Sequence, residues 1–160
     1  MTQTINFYSP RGDYGEFSNF YPAIIKLKDR IWATSEHYFQ AQKFAGTKYE
    51  SKIRKSKGPG LAAREGRDRS KPLRRDWESV KDSIMYDAVL NKFSIHPRLK
   101  KILLDTGDAI LVEHTERDSY WGDGGNGSGR NQLGKTLMKV REVLQEEVNE
   151  SNNRTKRDSN

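Results

Sequence analysis

A cluster of acidic and aromatic residues near position 118 could act on a sugar bond. Glu116 and Asp118 lie just before Tyr120 and Trp121, and a glycine-rich loop follows them. Carboxylates at a glycosidic centre stabilise an oxocarbenium-like transition state or activate water, and an aromatic ring can stack on a base. Amides of a glycine-rich loop can approach a phosphate closely because no Cβ blocks them. Composition alone leaves two interpretations open, a ligand pocket and a flexible surface loop.

The segment TSEHYFQAQKF supplies a second set of polar residues at helical spacing. Glu36, Gln40 and Lys43 fall at i, i+4 and i+7 of a predicted helix, which places them on one face. Such a stripe is ordinarily solvated. The aromatic residues of this segment argue against that interpretation here, because a polar stripe beside them can face a cavity instead of bulk water.

The sequence offers no pattern for a metal or a nucleotide cofactor. It contains no cysteine, and its three histidines, His37, His96 and His114, lack the spacing of zinc ligands. The segment GDGGNGSGRN lacks the lysine of a P-loop and does not follow a strand as a GxGxxG motif does. It also lacks the remaining ligands of an EF-hand. We therefore expect neither a cofactor nor a bound metal.

The charge of the chain favours an anionic partner. The formal net charge is +7, and residues 48–75 alone hold eleven Lys or Arg against three acids. Such a balance suits a phosphate, a nucleotide or nucleic acid, although a solvated basic face is the simpler explanation. No apolar run reaches the length of a membrane span, and the first residues do not resemble a signal peptide. We expect a cytoplasmic protein.

Hydrophobic spacing predicts a mainly α-helical domain with a small β element, a borderline α+β protein. The 160 residues suit one domain, which we place at residues 1–148, followed by a disordered polar tail at 149–160. The expected strands lie at 5–8, at 109–112 and in a hairpin within AIIKLKDRIWAT; the expected helices lie near 36–44, 48–56, 61–69, 76–93 and 133–148, with a short one opening at Pro97.

Several separated motifs occur together in this chain: INFYSPRGDYGEFSNF, WATSEHYFQAQKF, GRDRSKPLRRDWESVKDSIM and LVEHTERDSYWGDGGNGSGRNQLG. With the LMKVRE helix they resemble the NADAR, or YbiA-like, family over about residues 5–145, in the same order. The resemblance implies a compact single-domain YbiA-like fold and an N-glycosidase that cleaves a ribose C1–N bond without a metal. It also implies two substrate branches. One is phosphorylated ribosylamino-pyrimidine intermediates of riboflavin biosynthesis, which we favour; the other is ADP-ribose on guanine in nucleic acid.

The resemblance also assigns candidate catalytic and aromatic residues. Glu36 matches the motif carboxylate and Lys43 the lysine on the same helix, while Trp77 matches a pocket aromatic. Asp118 and Trp121 match the second acidic–aromatic motif. We expect Glu36 or Asp118 to stabilise positive charge at C1 while the other acts on water or on the leaving nitrogen. Lys43 permits a different route, in which its amine attacks C1 and forms a Schiff base with the opened ribose.

Phosphate groups on the substrate require basic side chains and backbone amides. The candidates are Arg11, Arg67, Arg69 and Lys71, the loop amides of Gly124 and Gly125, and Arg130 as a further possibility.

Two functions other than catalysis stay open at the level of sequence. A non-catalytic ADP-ribose or nucleotide-binding module would use the same basic and aromatic pocket, but two carboxylates near the sugar would repel its phosphates. A nucleic-acid-binding protein would use residues 48–75 and would bind less tightly as salt rises. The oligomeric state leaves no signal in the sequence.

Overall fold

The computed structural model describes residues 2–159. Over this range the chain forms four short strands, β1 (Thr4–Phe7), β2 (Ile25–Leu27), β3 (Arg30–Trp32) and β4 (Ile110–Glu113), and six helices, α1 (Ser35–Gln42), α2 (Lys48–Arg54), α3 (Pro59–Gly66), α4 (Trp77–Ile95), α5 (Pro97–Asp105) and α6 (Gln132–Asp158). A single 3₁₀ turn covers Gly15–Phe17. The predicted mainly α fold with a small β element is confirmed.

Helix α1 lies at the centre of the fold. It packs against α2, α3 and α4, and all eight of its residues are buried. Thr34 caps it: the Thr34 hydroxyl accepts a hydrogen bond from the backbone N–H of His37 at 3.2 Å, as expected for a residue at this position. The helix therefore carries polar side chains into the protein interior, where they must face either each other or a cavity.

Two small sheets connect distant parts of the chain. β2 and β3 form the predicted antiparallel hairpin. β1 and β4 pair in parallel, with Phe7 opposite Glu113. Because the carboxyl ends of parallel strands meet at one edge, the loop after β1 comes to lie beside the segment that follows β4. This pairing brings the N-terminal segment next to residues more than 100 positions further along the chain.

The main hydrophobic core lies between α4, α6 and the parallel strand pair. Phe93 of α4, Leu111 of β4 and Leu137 of α6 are among its fully buried members. A second cluster, around Trp32 and Phe44, lies on the side of α1 that faces the hairpin and α2. The two clusters hold α1 from two sides. Truncating such a fully buried side chain to alanine typically lowers the free energy of unfolding by about 2–5 kcal/mol.

Helix α6 differs from the expectation at its C-terminal end. The segment 149–158, expected to be part of a disordered tail, continues the helix to Asp158, and its side chains are exposed. The segment contains neither Gly nor Pro, and Glu150 and Arg154 form an ion pair at i, i+4 that weakly supports a helix. Residue 160 of the expected tail lies outside the described residues.

Among the described helices, none combines the length and hydrophobicity that a membrane crossing requires.

Candidate active site

A cavity of about 590 Å³ opens beside α1. Its walls come from α1, α3, the loop after β1 and the segment from the end of β4 to Trp121. The side chains on these walls that could take part in chemistry or recognition are Tyr8, Asn19, Phe20, Glu36, Phe39, Gln40, Lys43, Arg67, Glu113, Arg117, Asp118 and Trp121. Both acidic–aromatic regions of the sequence thus meet at one site.

Glu36 lies in the first turn of α1, and the residue is 8% exposed. The backbone N–H of Glu36 donates to the carbonyl of Asn19, and the Gln40 side-chain amide donates to Glu36 Oε1 at 2.7 Å. Burial raises the pKa of Glu36, while the Gln40 hydrogen bond and the positive charges of Lys43 and Arg67 act in the opposite direction. The carboxylate is thereby fixed in orientation and faces the cavity.

Lys43 ends α1, and its side chain is buried on the same face. Its Nζ donates to the carbonyl of Gly66 at 3.4 Å and lies 5.8 Å and 5.7 Å from the ring centroids of Phe39 and Trp77. Burial, with the positive charge of Arg69 as the next cause, lowers the pKa of Lys43 to about 8. Roughly a tenth of this amine is then neutral at pH 7, and the neutral form is the one that can act as a nucleophile.

Asp118 begins a tight turn in the cavity wall. Its Oδ1 accepts hydrogen bonds from the backbone N–H groups of Tyr120 at 2.9 Å and of Trp121 at 2.8 Å. The turn holds Trp121 edge-on to Phe39, with ring centroids 5.2 Å apart. The carboxylate and the indole are therefore positioned by the same four-residue turn.

Glu113 is a third carboxylate at the cavity. It is the last residue of β4; its backbone N–H donates to the side-chain oxygen of Asn131 at 3.0 Å, and its carbonyl accepts from the N–H of Asp123 at 2.9 Å. Burial first, and then the negative charges of Asp118, Glu36 and Asp123, raise the pKa of Glu113 to about 7. This carboxyl is therefore protonated for a substantial fraction of the time near neutral pH.

Residues 6–145 match the model of the NADAR domain. The chain belongs to the NADAR family. It is 58% identical over 140 residues to the N-glycosidase YbiA of Escherichia coli (strain K12), a match that covers 88% of each chain. The NMR structure of YbiA superposes with a TM-score of 0.85 at 57% identity, covering 92% of this chain and 88% of that one.

Two further relatives have names that bear on chemistry. The N-glycosidase Npun_R5314 of Nostoc punctiforme is 50% identical over 144 residues, covering 88% of this chain and 92% of that protein. The riboflavin biosynthesis protein VVA0006 of Vibrio vulnificus is 42% identical over 146 residues, covering 91% of this chain but 40% of that longer protein. The predicted family and the predicted enzyme class, a hydrolase of N-glycosyl bonds, are confirmed by these matches.

The glycine loop of this NADAR domain contacts the protein itself. Gly124 and Gly125 adopt positive φ angles of 72° and 88°, and a Cβ on Gly125 would lie 2.5 Å from Cγ of Glu116. The N–H of Gly125 donates to the carboxylate of Asp123 at 2.8 Å. Neither glycine lines the cavity in the described part of the chain. The two are predicted to hold phosphate through their amides, but in this structure the Gly124 N–H donates to the carbonyl of Asp118 at 3.1 Å and the Gly125 N–H to Asp123.

The predicted phosphate-binding residues separate into two groups. Arg67 lines the cavity. Arg69 donates to the carbonyl of Gly66 at 2.8 Å, and Lys71 is buried in an ion pair with Glu65. Arg11 is exposed in the first loop, and neither it nor Arg69, Lys71 or Arg130 is among the residues that line the cavity within 2–159. Phosphate binding by Arg11, Arg69, Lys71 and Arg130 therefore stays a prediction, and Arg67 is the predicted basic residue that the structure brings to the cavity.

Trp77 supports the site without lining it. The ring packs on Phe39 with centroids 5.1 Å apart and is 5% exposed. With Phe39 it forms the apolar surroundings of the Lys43 amine. Trp77 was predicted to be a pocket aromatic. In the structure it packs against Phe39 and near Lys43, which do line the cavity.

Sequence reasoning missed several residues that line the cavity. The predicted site residues did not include Glu113, Tyr8, Asn19, Phe20 and Arg117, which all line the cavity. Tyr8 and Phe20 are partly exposed at the cavity. Their signal was the density of aromatic residues in the loop after β1, which the parallel β1–β4 pairing brings to the cavity.

His37, by contrast, is structural, since its ring forms hydrogen bonds with Thr34 and with the carbonyl of Ser56.

Proposed function

We propose that this protein hydrolyses the ribose C1–N bond of a phosphorylated riboside, and that the substrate is a ribosylamino-pyrimidine phosphate of riboflavin biosynthesis. The observation that carries the proposal is the meeting of three carboxylates, a lysine and aromatic rings at one cavity. The similarity to N-glycosidases supports the bond type. The name of the Vibrio vulnificus relative supports the pathway.

The dimensions and charges of the cavity suit such a substrate. A volume of about 590 Å³ lies within the usual range of small-molecule sites. Arg67 and Arg117 both line it, and their guanidinium groups can bind a phosphate in a bidentate manner. Tyr8, Phe20 and Trp121 present aromatic surface to a flat heterocycle.

Glu36 and Asp118 lower the barrier to C1–N cleavage by facing the positive charge that develops on the ribose. A carboxylate that is already oriented by hydrogen bonds need not reorganise during the reaction, and this makes electrostatic stabilisation effective. Glu36 is oriented by Gln40, and Asp118 by two backbone amides. One of the two stabilises the oxocarbenium-like ribose while the other accepts a proton from the attacking water.

Lys43 offers a covalent route at the same site. Its lowered pKa supplies some neutral amine at neutral pH, which can attack C1, expel the nitrogen base and leave a Schiff base with the opened ribose. Treatment with borohydride during turnover reduces such an adduct to a stable secondary amine. An adduct of the mass of the reduced sugar phosphate, absent from Lys43→Met, supports this route; failure to trap any adduct from an actively turning over enzyme supports direct hydrolysis.

The basic surface favours a second candidate substrate, ADP-ribose attached to guanine in nucleic acid. Four lysines are exposed on α2 and just beyond it, where they can contact phosphates of a polynucleotide: Lys48, Lys52, Lys55 and Lys57.

A substrate panel separates the candidates. It compares a ribosylamino-pyrimidine phosphate, ADP-ribosyl-guanosine, single-stranded DNA carrying ADP-ribosyl-guanine, and NAD. Release of amine from the first alone supports the favoured function; salt-sensitive release of ADP-ribose from the DNA alone supports the second.

A further inference from the structure

The carboxyl of Glu113 is placed in the cavity wall with its backbone held on both sides. The side chain of Asn131 bonds the N–H of Glu113 and also donates to the carbonyl of Leu111 at 2.9 Å. The N–H of Asp123 donates to the Glu113 carbonyl. Asn131 adopts a left-handed conformation with φ of 53° to make these contacts. The end of β4 is thus fixed by groups that leave the Glu113 side chain free to face the cavity.

Glu113 differs from the other two carboxylates in its hydrogen bonds. Its Oε2 is buried, and no residue within 2–159 forms a hydrogen bond to it. Glu36 accepts from Gln40, and Asp118 accepts from two backbone amides. A buried carboxyl oxygen without a protein partner is costly, and a ligand in the cavity can provide the missing partner.

We propose that Glu113 is the general acid that protonates the leaving nitrogen. The inference rests on the proposed function, since it requires cleavage of a C1–N bond. As that bond breaks, its electron pair goes to nitrogen, and the Glu113 carboxyl transfers its proton to the same nitrogen. Water then adds to C1 and loses its proton to the carboxylate of Glu36 or Asp118 that acts as base, and transfer of that proton to Glu113 restores the enzyme. The balance is riboside and water giving ribose and free amine, with the enzyme restored.

The charged groups around Glu113 favour its protonated form. Asp118 and Asp123 face it from the segment after β4, and Glu36 faces it from α1; all three are acids and add to the effect of burial in raising its pKa to about 7. An exocyclic amine is a very poor leaving group as an anion, so cleavage needs a proton donor at the nitrogen. The other two carboxylates of the cavity already accept hydrogen bonds from the protein, which leaves Glu113 as the one suited to donate.

The test compares two substrates that differ in their need for a proton. A ribosylamino-pyrimidine phosphate must be protonated on leaving, whereas p-nitrophenyl riboside 5-phosphate releases a stable nitrophenolate without help. Glu113→Gln keeps the shape of the side chain and removes the acid. We expect kcat to fall roughly 10²- to 10⁴-fold on the first substrate and to change only a few-fold on the second. Glu147→Gln, an exposed acid on α6 that does not line the cavity, is the control and should retain both activities.

Other outcomes would overturn the assignment. Full activity of Glu113→Gln on the pyrimidine substrate, or an equal loss on both substrates, excludes a general acid while the proposed function stands. Failure of the wild type on both substrates ends the proposed function, and the acid role with it. Should Glu113→Gln not fold, carbon-13 NMR titration of the wild-type Glu113 carboxyl decides the question. A midpoint near neutral pH supports the role, and an ordinary carboxyl midpoint rules it out.

Discussion

Glu36 is the residue whose replacement best separates binding from catalysis. Its Oε1 accepts from Gln40 and its charge opposes the positive charges of Lys43 and Arg67. Glu36→Gln keeps the shape of the side chain but removes the charge that faces C1. We expect kcat to fall about 10²- to 10³-fold, while affinity for a phosphorylated riboside, measured by calorimetry, holds or improves. Glu142→Gln, exposed on α6, should leave both values unchanged, and loss of affinity without loss of kcat would contradict the role.

The pH profile of kcat distinguishes the covalent route from direct hydrolysis. Glu113 must be protonated to act as an acid, so activity falls as pH rises through its pKa of about 7. In the covalent route Lys43 must also be neutral, so activity falls as pH decreases through its pKa of about 8. We therefore expect a bell with its maximum at about pH 7.5 for the covalent route. Direct hydrolysis lacks the acidic limb that Lys43 causes, and in that case Lys43→Met leaves the shape of the profile unchanged.

At the scale of structural elements, the glycine loop acts as a rigid scaffold for the Asp118 turn. Gly125 has a φ of 88°, and a Cβ there would meet Glu116. Gly125→Ala should lower the free energy of unfolding by about 1–3 kcal/mol. Gly60→Ala is the control, because Gly60 lies in α3 with open space around it, and alanine is favoured in a helix. Chemical denaturation measures both; a Gly125→Ala protein as stable as the wild type would show that the loop can relax.

The helices could be predicted from the sequence because each carries local signals. The polar stripe and its aromatic neighbours indicated α1, and the three–four apolar spacing of 76–93 indicated α4. The parallel pairing of β1 with β4 carries no such signal, because the partners are far apart in sequence and each is only four residues long. The positions of Glu113 and of the aromatic loop after β1 depend on that pairing, and so do the residues that sequence reasoning missed.

The glycines of the loop show a second limit of sequence reasoning. Their number indicated close backbone approach, but an approach to phosphate and an approach to other residues of the protein require the same residue type. The structure decides for the latter at Gly125. The basic residues posed the same problem, since Arg67 reaches the cavity whereas Lys71 forms an ion pair with Glu65.

For the whole molecule, the buried lysine of α4 couples stability to pH. Lys92 is fully buried, and its Nζ donates to the carbonyl of Ser18 at 2.9 Å, which ties α4 to the loop whose next residues line the cavity. Burial lowers the pKa of Lys92 to about 7. In the unfolded chain this amine keeps its ordinary, higher pKa. Between these values the unfolded state binds more protons, so the free energy of unfolding rises with pH over this window.

Replacing Lys92 with methionine should remove this dependence. The variant loses the bond to Ser18 but no longer carries a charged group in the core, and such replacements are often neutral or stabilising. We expect the free energy of unfolding of Lys92→Met, relative to that of the wild type, to rise by several kcal/mol as pH falls from about 10 to 7. This range is set by the two pKa values of Lys92. Urea denaturation at several pH values measures the difference, with Lys139→Met, exposed on α6, as control. A constant difference between Lys92→Met and the wild type across this range would mean that Lys92 stays charged in the folded protein.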